Sequence, residues 1–239
     1  MLLSRFVHRL PVVGPLLEFR SNSYIRHNQR RLEHLASLNL PINGKSVLEL
    51  GSGIGDHTSF FLDRGCTVTA VEARARNVAL MRRRFGHRIR IITADVMDLD
   101  RYQIPAAQII HCYGLLYHLS RPLDALHWMA DHCTELCLLE TCVSFGEEQA
   151  VNLVSEFKGS PTQAADGTGC RPTRSWVVES LKIFFPHVYV TTTQPWHEQF
   201  PTDWNSAPPN GLARAVFVAA RSALDSNMLS SAIPTRQTR

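Results

Sequence analysis

The chain has 239 residues, 44% hydrophobic and 19% charged, with a formal net charge of +4. That is enough apolar material for one full core, and the composition excludes a disordered, collagenous or disulfide-stapled chain. So mild a net charge does not by itself demand a polyanionic partner.

Residues 1 to about 20 read as an irregular preface, broken by Pro11 and Pro15 and unlike a secretory signal. Residues 23–38 read as a helix, with Ile25, Leu32, Leu35 and Leu38 forming an apolar stripe and arginines opposite. Pro41 and Gly44 end it. Strands are expected at 46–51, 67–72, 89–95, 107–114, 136–143, 188–194 and 213–221. Helices are expected at about 56–64, 75–85, 122–132 and 174–184. Apolar, β-branched strands alternating with helices imply a largely parallel sheet covered on both faces, hence an α/β, Rossmann-like doubly wound fold. The domain expectation is a helical preface over 1–43, a catalytic domain over 44–221 and a disordered tail over 222–239. The segments 144–173 and 195–212 interrupt the alternation. Leaving the carboxyl edge of the sheet, they would roof a ligand site.

The strongest motif is Val47-Leu48-Glu49-Leu50-Gly51-Ser52-Gly53-Ile54-Gly55, a strand running into a glycine-rich turn. Glycines let the backbone approach a ligand closely. The spacing G-x-G-x-G is not the dinucleotide G-x-G-x-x-G. Glu49 would repel a pyrophosphate but can hold an ammonium. Glu72 ends the second strand 21 residues after Gly51, placed to accept ribose hydroxyls. Asp95 and Val96 follow the third strand, suited to an adenine amino group and ring. His111-Cys112-Tyr113-Gly114 closes the fourth strand beside the expected methionine moiety. This charge pattern favours S-adenosylmethionine, which has an ammonium and a sulfonium but no phosphate, over NAD.

These motifs, VLELGSGIG, the acid in AVEAR, ITADVMDL and IIHCYGLLYHLSRPLDAL, resemble the class I S-adenosylmethionine-dependent methyltransferase family over about residues 45–143. The resemblance implies a seven-stranded sheet whose last strand, ARAVFVAAR, is antiparallel. It implies S-adenosyl-L-methionine contacts at Glu49, Gly51, Ser52, Gly53, Gly55, Glu72, Ala73, Asp95, Val96, Cys112 and Tyr113. The run LLYH…RPLDAL…LLET is also similar to the transferases that modify tRNA wobble uridine with carboxy-S-adenosylmethionine. This chain departs from them in carrying Leu119-Ser120 before Arg121, which favours the ordinary cofactor. The family's Asn- or Asp-Pro-Pro-aromatic tetrad for base amino groups does not follow the fourth strand.

An alcohol or phenol acceptor wants a general base, and His118 and His197 are the candidates. Tyr117, Glu140, Arg171, Trp196, Asp203 and Trp204 are the expected substrate contacts, the tryptophans suiting a flat or sugar-like acceptor. Tyr24, Arg26 and Asn28 would close over the methionine end. The functional expectation is methylation, on oxygen, of a small molecule or glycan. The alternatives are an RNA-modifying methyl or carboxymethyl transferase and a non-catalytic S-adenosylmethionine-binding module. The RNA alternative draws on six arginines in residues 1–31 and seven between Glu72 and Asp95.

The six cysteines show no metal-ligand spacing, so no metal is expected, and they suit a reducing, cytoplasmic compartment. No apolar run reaches the roughly 20 residues of a membrane span.

Overall fold

A computed structural model describes residues 13–160, 163, 167–207 and 212–239. Among the described residues there are ten strands, interleaved with helices. Strands β1 (Ser46–Leu50), β2 (Thr67–Glu72), β3 (Arg90–Thr93), β4 (Ala107–Tyr113), β5 (Cys133–Val143), β8 (His187–Thr191), β9 (Ala213–Ala220) and β10 (Leu229–Ser230) form one sheet. Its order is β10-β8-β9-β5-β4-β1-β2-β3. Strands β1 to β5 pair in parallel, and β9 runs antiparallel between β5 and β8. This is the expected Rossmann-like sheet with an eighth, two-residue strand on its edge.

The helices are α1 (Val13–Phe19), α2 (Asn22–Ser37), α3 (Thr58–Leu62), α4 (Ala75–Phe85), α5 (Pro122–Asp131) and α6 (Arg174–Phe184). Local chemistry sets several boundaries. Ser21 caps α2 by accepting from the Tyr24 N–H, Pro122 sits in the first turn of α5, and Thr173 caps α6 through the Trp176 N–H (3.2 Å).

The two-residue period of the strands sorts the core. Leu48, Leu50, Ile110, Cys112, Leu139 and Phe217 belong to one apolar cluster. Val47, Ile109, Leu138, Val216 and Val218 belong to the other. The polar residues Glu49, His111, Tyr113, Glu140 and Arg214 alternate with the first set, so they share the second face. Register places Glu49 beside His111 and Tyr113 beside Glu140.

Three expectations are corrected here. The irregular preface contains α1; residues 1–12 lie outside the described residues. The segment 144–173 carries a hairpin of β6 (Val151–Ser155) and β7 (Thr168–Pro172). The tail is ordered rather than disordered: β10 pairs with β8, and Thr238 and Arg236 bridge to Thr193 and Asp203. The backbone of 229–238 finds partners along an open sheet edge, which a polar composition does not reveal.

Among the described residues, no helix is long and apolar enough to cross a membrane. All six cysteines are buried and free, and no group of His, Cys, Asp or Glu suits a metal ion.

Candidate active site

The carboxyl ends of β1 to β4 open into a cavity of about 770 Å³. One end is acidic and glycine-rich. Glu49, Gly51, Ser52, Gly53, Glu72, Ala73, Asp95 and Val96 all line it. Gly51 and Gly53 hold φ of +66° and +58°, in the left-handed region where a Cβ is strained. A Cβ would also lie 2.9 Å from Leu115 at Gly51 and 3.1 Å from Phe19 at Gly53. Phe19, on α1, therefore lies over the turn.

Each acid has a defined environment. The Glu72 carboxylate accepts from the backbone N–H of Gly53 (2.9 Å) and Arg74 (2.9 Å) and from Asn77 Nδ2 (3.1 Å). It thus ties the glycine turn to the end of β2. Asp95 caps the following turn through the Met97 N–H (2.9 Å). Glu49 accepts from the Thr58 hydroxyl at 2.5 Å, and burial pushes its pKa up to about 8. A buried carboxyl with a neutral hydroxyl as its hydrogen-bond donor suits a cationic ligand group. The set of three acids, with Glu49 placed for an ammonium, therefore fits S-adenosylmethionine.

Two expected cofactor contacts are displaced. Cys112 is fully buried in the apolar cluster, because the strand period turns it away while Tyr113 lines the cavity. Gly55 does not line the cavity either; a Cβ there would lie 2.4 Å from the Phe85 ring, so it serves the packing of α4.

The other end of the cavity is built by Tyr24, His27, Asn28, Arg31, Tyr117, His118, His197, Gln199 and Arg214. His118 Nδ1 is hydrogen-bonded to Glu156 Oε2, and Arg171 Nη2 holds the other oxygen at 3.3 Å. Burial is the largest influence on His118 and keeps its pKa below the ordinary 6.5, although Glu156 pulls the other way. His197 Nδ1 accepts from the Gln199 N–H (3.2 Å), and its ring meets His27 edge-on at 4.6 Å.

Glu140 is the centre of this end and does not line the cavity. It is fully buried, bonded to Arg31 Nη2 and, at 2.9 Å, to Arg214 Nη1. Arg214 also donates to the Tyr117 hydroxyl (3.0 Å) and to Gln199 Oε1 (2.9 Å). The Arg171 and Arg214 guanidinium groups lie 5.0 and 4.7 Å from the centroid of the Tyr117 ring.

Of the expected substrate contacts, Tyr117 lines the cavity and Glu140, Arg171, Trp196, Asp203 and Trp204 do not. Trp196 is 67% exposed. Trp204 donates to Gln237 Oε1 (2.6 Å), stacks on Phe145 and lies under Arg174, so it pins the tail. Asp203 is exposed and faces Arg236. Of the opening-helix residues, Tyr24 and Asn28 line the cavity, while Arg26 pairs with Glu198 on the surface.

Sequence reasoning missed Arg31, His27, His57 and Arg214, and it placed His111 only as a neighbour of the methionine moiety. His27, Arg31, His34 and Leu35 recur at helical spacing, and this polar stripe, not one of apolar residues alone, faces the sheet. Asn28 Oδ1 accepts from Arg31 Nη1 (3.1 Å) and His57 Nε2 (3.2 Å), and His57 Nδ1 meets His111 Nε2 at 3.0 Å. The spacing of 27, 31 and 34 was the available signal. A charged helix face is ordinarily solvated, so it read as surface.

Residues 47–135 match the family described as "Methyltransferase domain". A ribosomal RNA small subunit methyltransferase A from Anaeromyxobacter dehalogenans is 36% identical over 103 residues, covering 38% of this chain and 36% of that protein. The corresponding Cupriavidus taiwanensis protein is 32% identical over 96 residues, covering 38% and 34%. The chain thus spans about a third of the length of these curated relatives. In fold it is similar to the N-terminal domain of EvdMO1, solved in the presence of SAH and D-fucose (TM-score 0.64, 18% identity, 84% of each chain). It is also similar to a Burkholderia thailandensis 1,6-didemethyltoxoflavin-N1-methyltransferase with S-adenosylhomocysteine (TM-score 0.55, 20% identity, 84% and 80% covered).

Proposed function

We propose that this chain, whose residues 47–135 belong to the class I S-adenosylmethionine-dependent methyltransferase family, methylates an oxygen of a small-molecule or glycan acceptor, with His118 as general base. The observation that carries this reading is the contact between His118 Nδ1 and the Glu156 carboxylate, made at the wall of the same cavity that holds the glycine turn.

When bound, S-adenosyl-L-methionine supplies an electrophilic methyl group on sulfur. Glu49 would receive the ammonium. Glu72 already takes three hydrogen bonds of the roughly four a carboxylate can accept, which leaves it one ribose hydroxyl. Asp95 and the Val96 N–H would hold the adenine. Gly51 and Gly53 keep the wall thin enough for close approach.

The acceptor chemistry belongs to His118. With Nδ1–H donated to Glu156, the neutral ring presents Nε2 as its lone pair. Burial keeps the ring neutral near pH 7, the form that accepts a hydroxyl proton. Glu156, held in turn by Arg171, stabilises the imidazolium that forms. His197 is in the opposite state. Its Nδ1 lone pair is taken by the Gln199 N–H, so Nε2 carries the proton and the ring is a donor that positions the acceptor. Arg171 therefore acts through Glu156 rather than on the acceptor.

A small acceptor is favoured over RNA by the cover on the cavity. Phe19 lies over the glycine turn, Ser160 donates to Glu18 (3.0 Å), and Arg74 reaches the Lys158 and Gln163 carbonyls (3.2 and 3.0 Å). The D-fucose and toxoflavin-type compounds named for the fold neighbours support that size class. The relatives with ribosomal RNA names match only 38% of this chain.

Calorimetry with S-adenosylmethionine, S-adenosylhomocysteine, carboxy-S-adenosylmethionine and NAD tests the cofactor half, with Glu72→Ala as control. Binding of the first two, weakened in the variant, is expected; binding of NAD alone, or of none, overturns the reading. An acceptor screen comparing His118→Ala with His197→Ala tests the base. Full turnover by His118→Ala would remove His118 from the role.

A further inference from the structure

The acceptor end of the cavity buries one more positive charge than its own acids balance. Arg31 and Arg214 both line the cavity, 4% and 7% exposed, and both converge on the single carboxylate of Glu140. Two guanidinium charges thus face one carboxylate. Among the described residues, the neighbouring groups do not close the difference. His27, His57 and His111 are held neutral by burial, and burial likewise keeps the Tyr24 and Tyr117 hydroxyls protonated. Glu156 is committed to His118 and Arg171, Asp56 to Arg20 and Arg84, and the exposed Glu198 to Arg26. Glu49, Glu72 and Asp95 belong to the glycine-turn end. A buried charge without a counter-charge is costly, and the cost falls when a ligand brings the missing sign.

The arginines are also held in place to receive it. Glu140 fixes both guanidinium groups, Asn28 Oδ1 holds Arg31, and Gln199 and Tyr117 hold Arg214. A Cβ on Gly114 would lie 2.6 Å from Arg31 Nη2, so this guanidinium rests against the end of β4. Arg31 Nε is buried and has no hydrogen-bond partner among the described residues.

We propose that the methyl acceptor is a monoanion, a hydroxy compound whose carboxylate is received by Arg31 and Arg214. The proposal rests on the reading of this end as the acceptor site. The planar guanidinium fork matches a carboxylate in geometry. The charge excess matches it in magnitude: one unit is missing, whereas a phosphate monoester brings about 1.5 to 2. Carboxylate and reacting hydroxyl then belong to one molecule, the first on the arginines and the second on His118.

The test compares matched pairs by calorimetry on the S-adenosylhomocysteine-loaded protein at constant ionic strength: benzoate with benzamide, 4-hydroxybenzoate with 4-hydroxybenzamide, and glucuronate with glucose, with inorganic phosphate alongside. At least one carboxylate is expected to bind about tenfold or more tightly than its neutral partner. In Arg214→Gln, where Arg31 and Glu140 balance each other, that preference is expected to fall to within about twofold. The proposal is overturned if no carboxylate outbinds its neutral partner, if the preference survives Arg214→Gln, or if inorganic phosphate outbinds every carboxylate. Because the readout is binding, His118→Ala should leave the preference intact. Loss of turnover in that variant with the preference retained, or failure of S-adenosylhomocysteine to bind while the pairs still differ, separates the fate of this proposal from that of the transfer reaction.

Discussion

Arg31, in the middle of α2, closes on Glu140, 109 residues later in the C-terminal half of β5, with both side chains almost fully buried. This ion pair carries the N-terminal helix onto the sheet face that holds the acceptor end of the cavity. Replacing Glu140 by Gln leaves Arg31 and Arg214 buried side by side without an acid. A loss of about 3–5 kcal/mol is expected, read as a fall in Tm. The double variant Glu140→Gln with Arg214→Gln should recover part of it, since one buried like-charge neighbour is gone.

His118 supplies a second prediction. His118→Ala should lower kcat by about 10² to 10⁴ while leaving S-adenosylhomocysteine affinity near that of the parent. His118 sits below the ordinary 6.5 because of burial, against an upward pull from Glu156. The acid limb of the pH–rate profile should therefore lie below that value. Glu156→Gln removes the upward pull, so the limb should move to still lower pH as the rate falls. A limb that does not move would show that Glu156 does not act on His118.

Glu49 should make fold stability and cofactor affinity depend on pH in opposite senses. Its folded pKa of about 8 lies above the ordinary 4.5, so the folded chain retains a proton that the unfolded chain releases between those values. The protonated form's contribution to stability is complete below about 4.5 and is lost as pH rises through about 8. An ammonium in the site reverses the preference. S-adenosylhomocysteine affinity should rise with pH up to about 8, with a proton released on binding. Calorimetry in buffers of different ionisation enthalpy measures that proton, and Glu49→Gln should abolish both trends.

Trp204 should behave as a structural residue. It bonds Gln237 and stacks on Phe145, so Trp204→Ala is expected to cost about 1–3 kcal/mol and to increase exchange of the amides of residues 229–238. KM for any acceptor should change little. A large KM effect without a stability loss would return Trp204 to the acceptor site.

The cofactor end was largely legible in the sequence because it is local. A strand, a glycine turn and a helix occupy consecutive residues, and the acids that follow sit at strand ends whose order the alternation of apolar runs already implies. Glu49, Glu72 and Asp95 reach one cavity because parallel strands present their carboxyl ends on one edge. Cys112 and Gly55 show the limit of motif reading. Whether a motif residue faces the ligand or the core depends on the strand period and on which helix packs behind it.

The acceptor end was decided by tertiary structure. Arg31, Glu140 and Arg214 are far apart in sequence, and each alone has the character of a solvated side chain. They meet because α2 covers the sheet face on which Glu140 and Arg214 fall by register, and because burying one charge there requires the others. The same holds for His118 and Glu156, joined only when the β6–β7 hairpin folds back beside the turn after β4. The periodicity of the chain determined the sheet, the glycine turn and the acids that line the cavity beside it, since those follow from backbone geometry over a few residues. Long-range packing determined which charges are buried together.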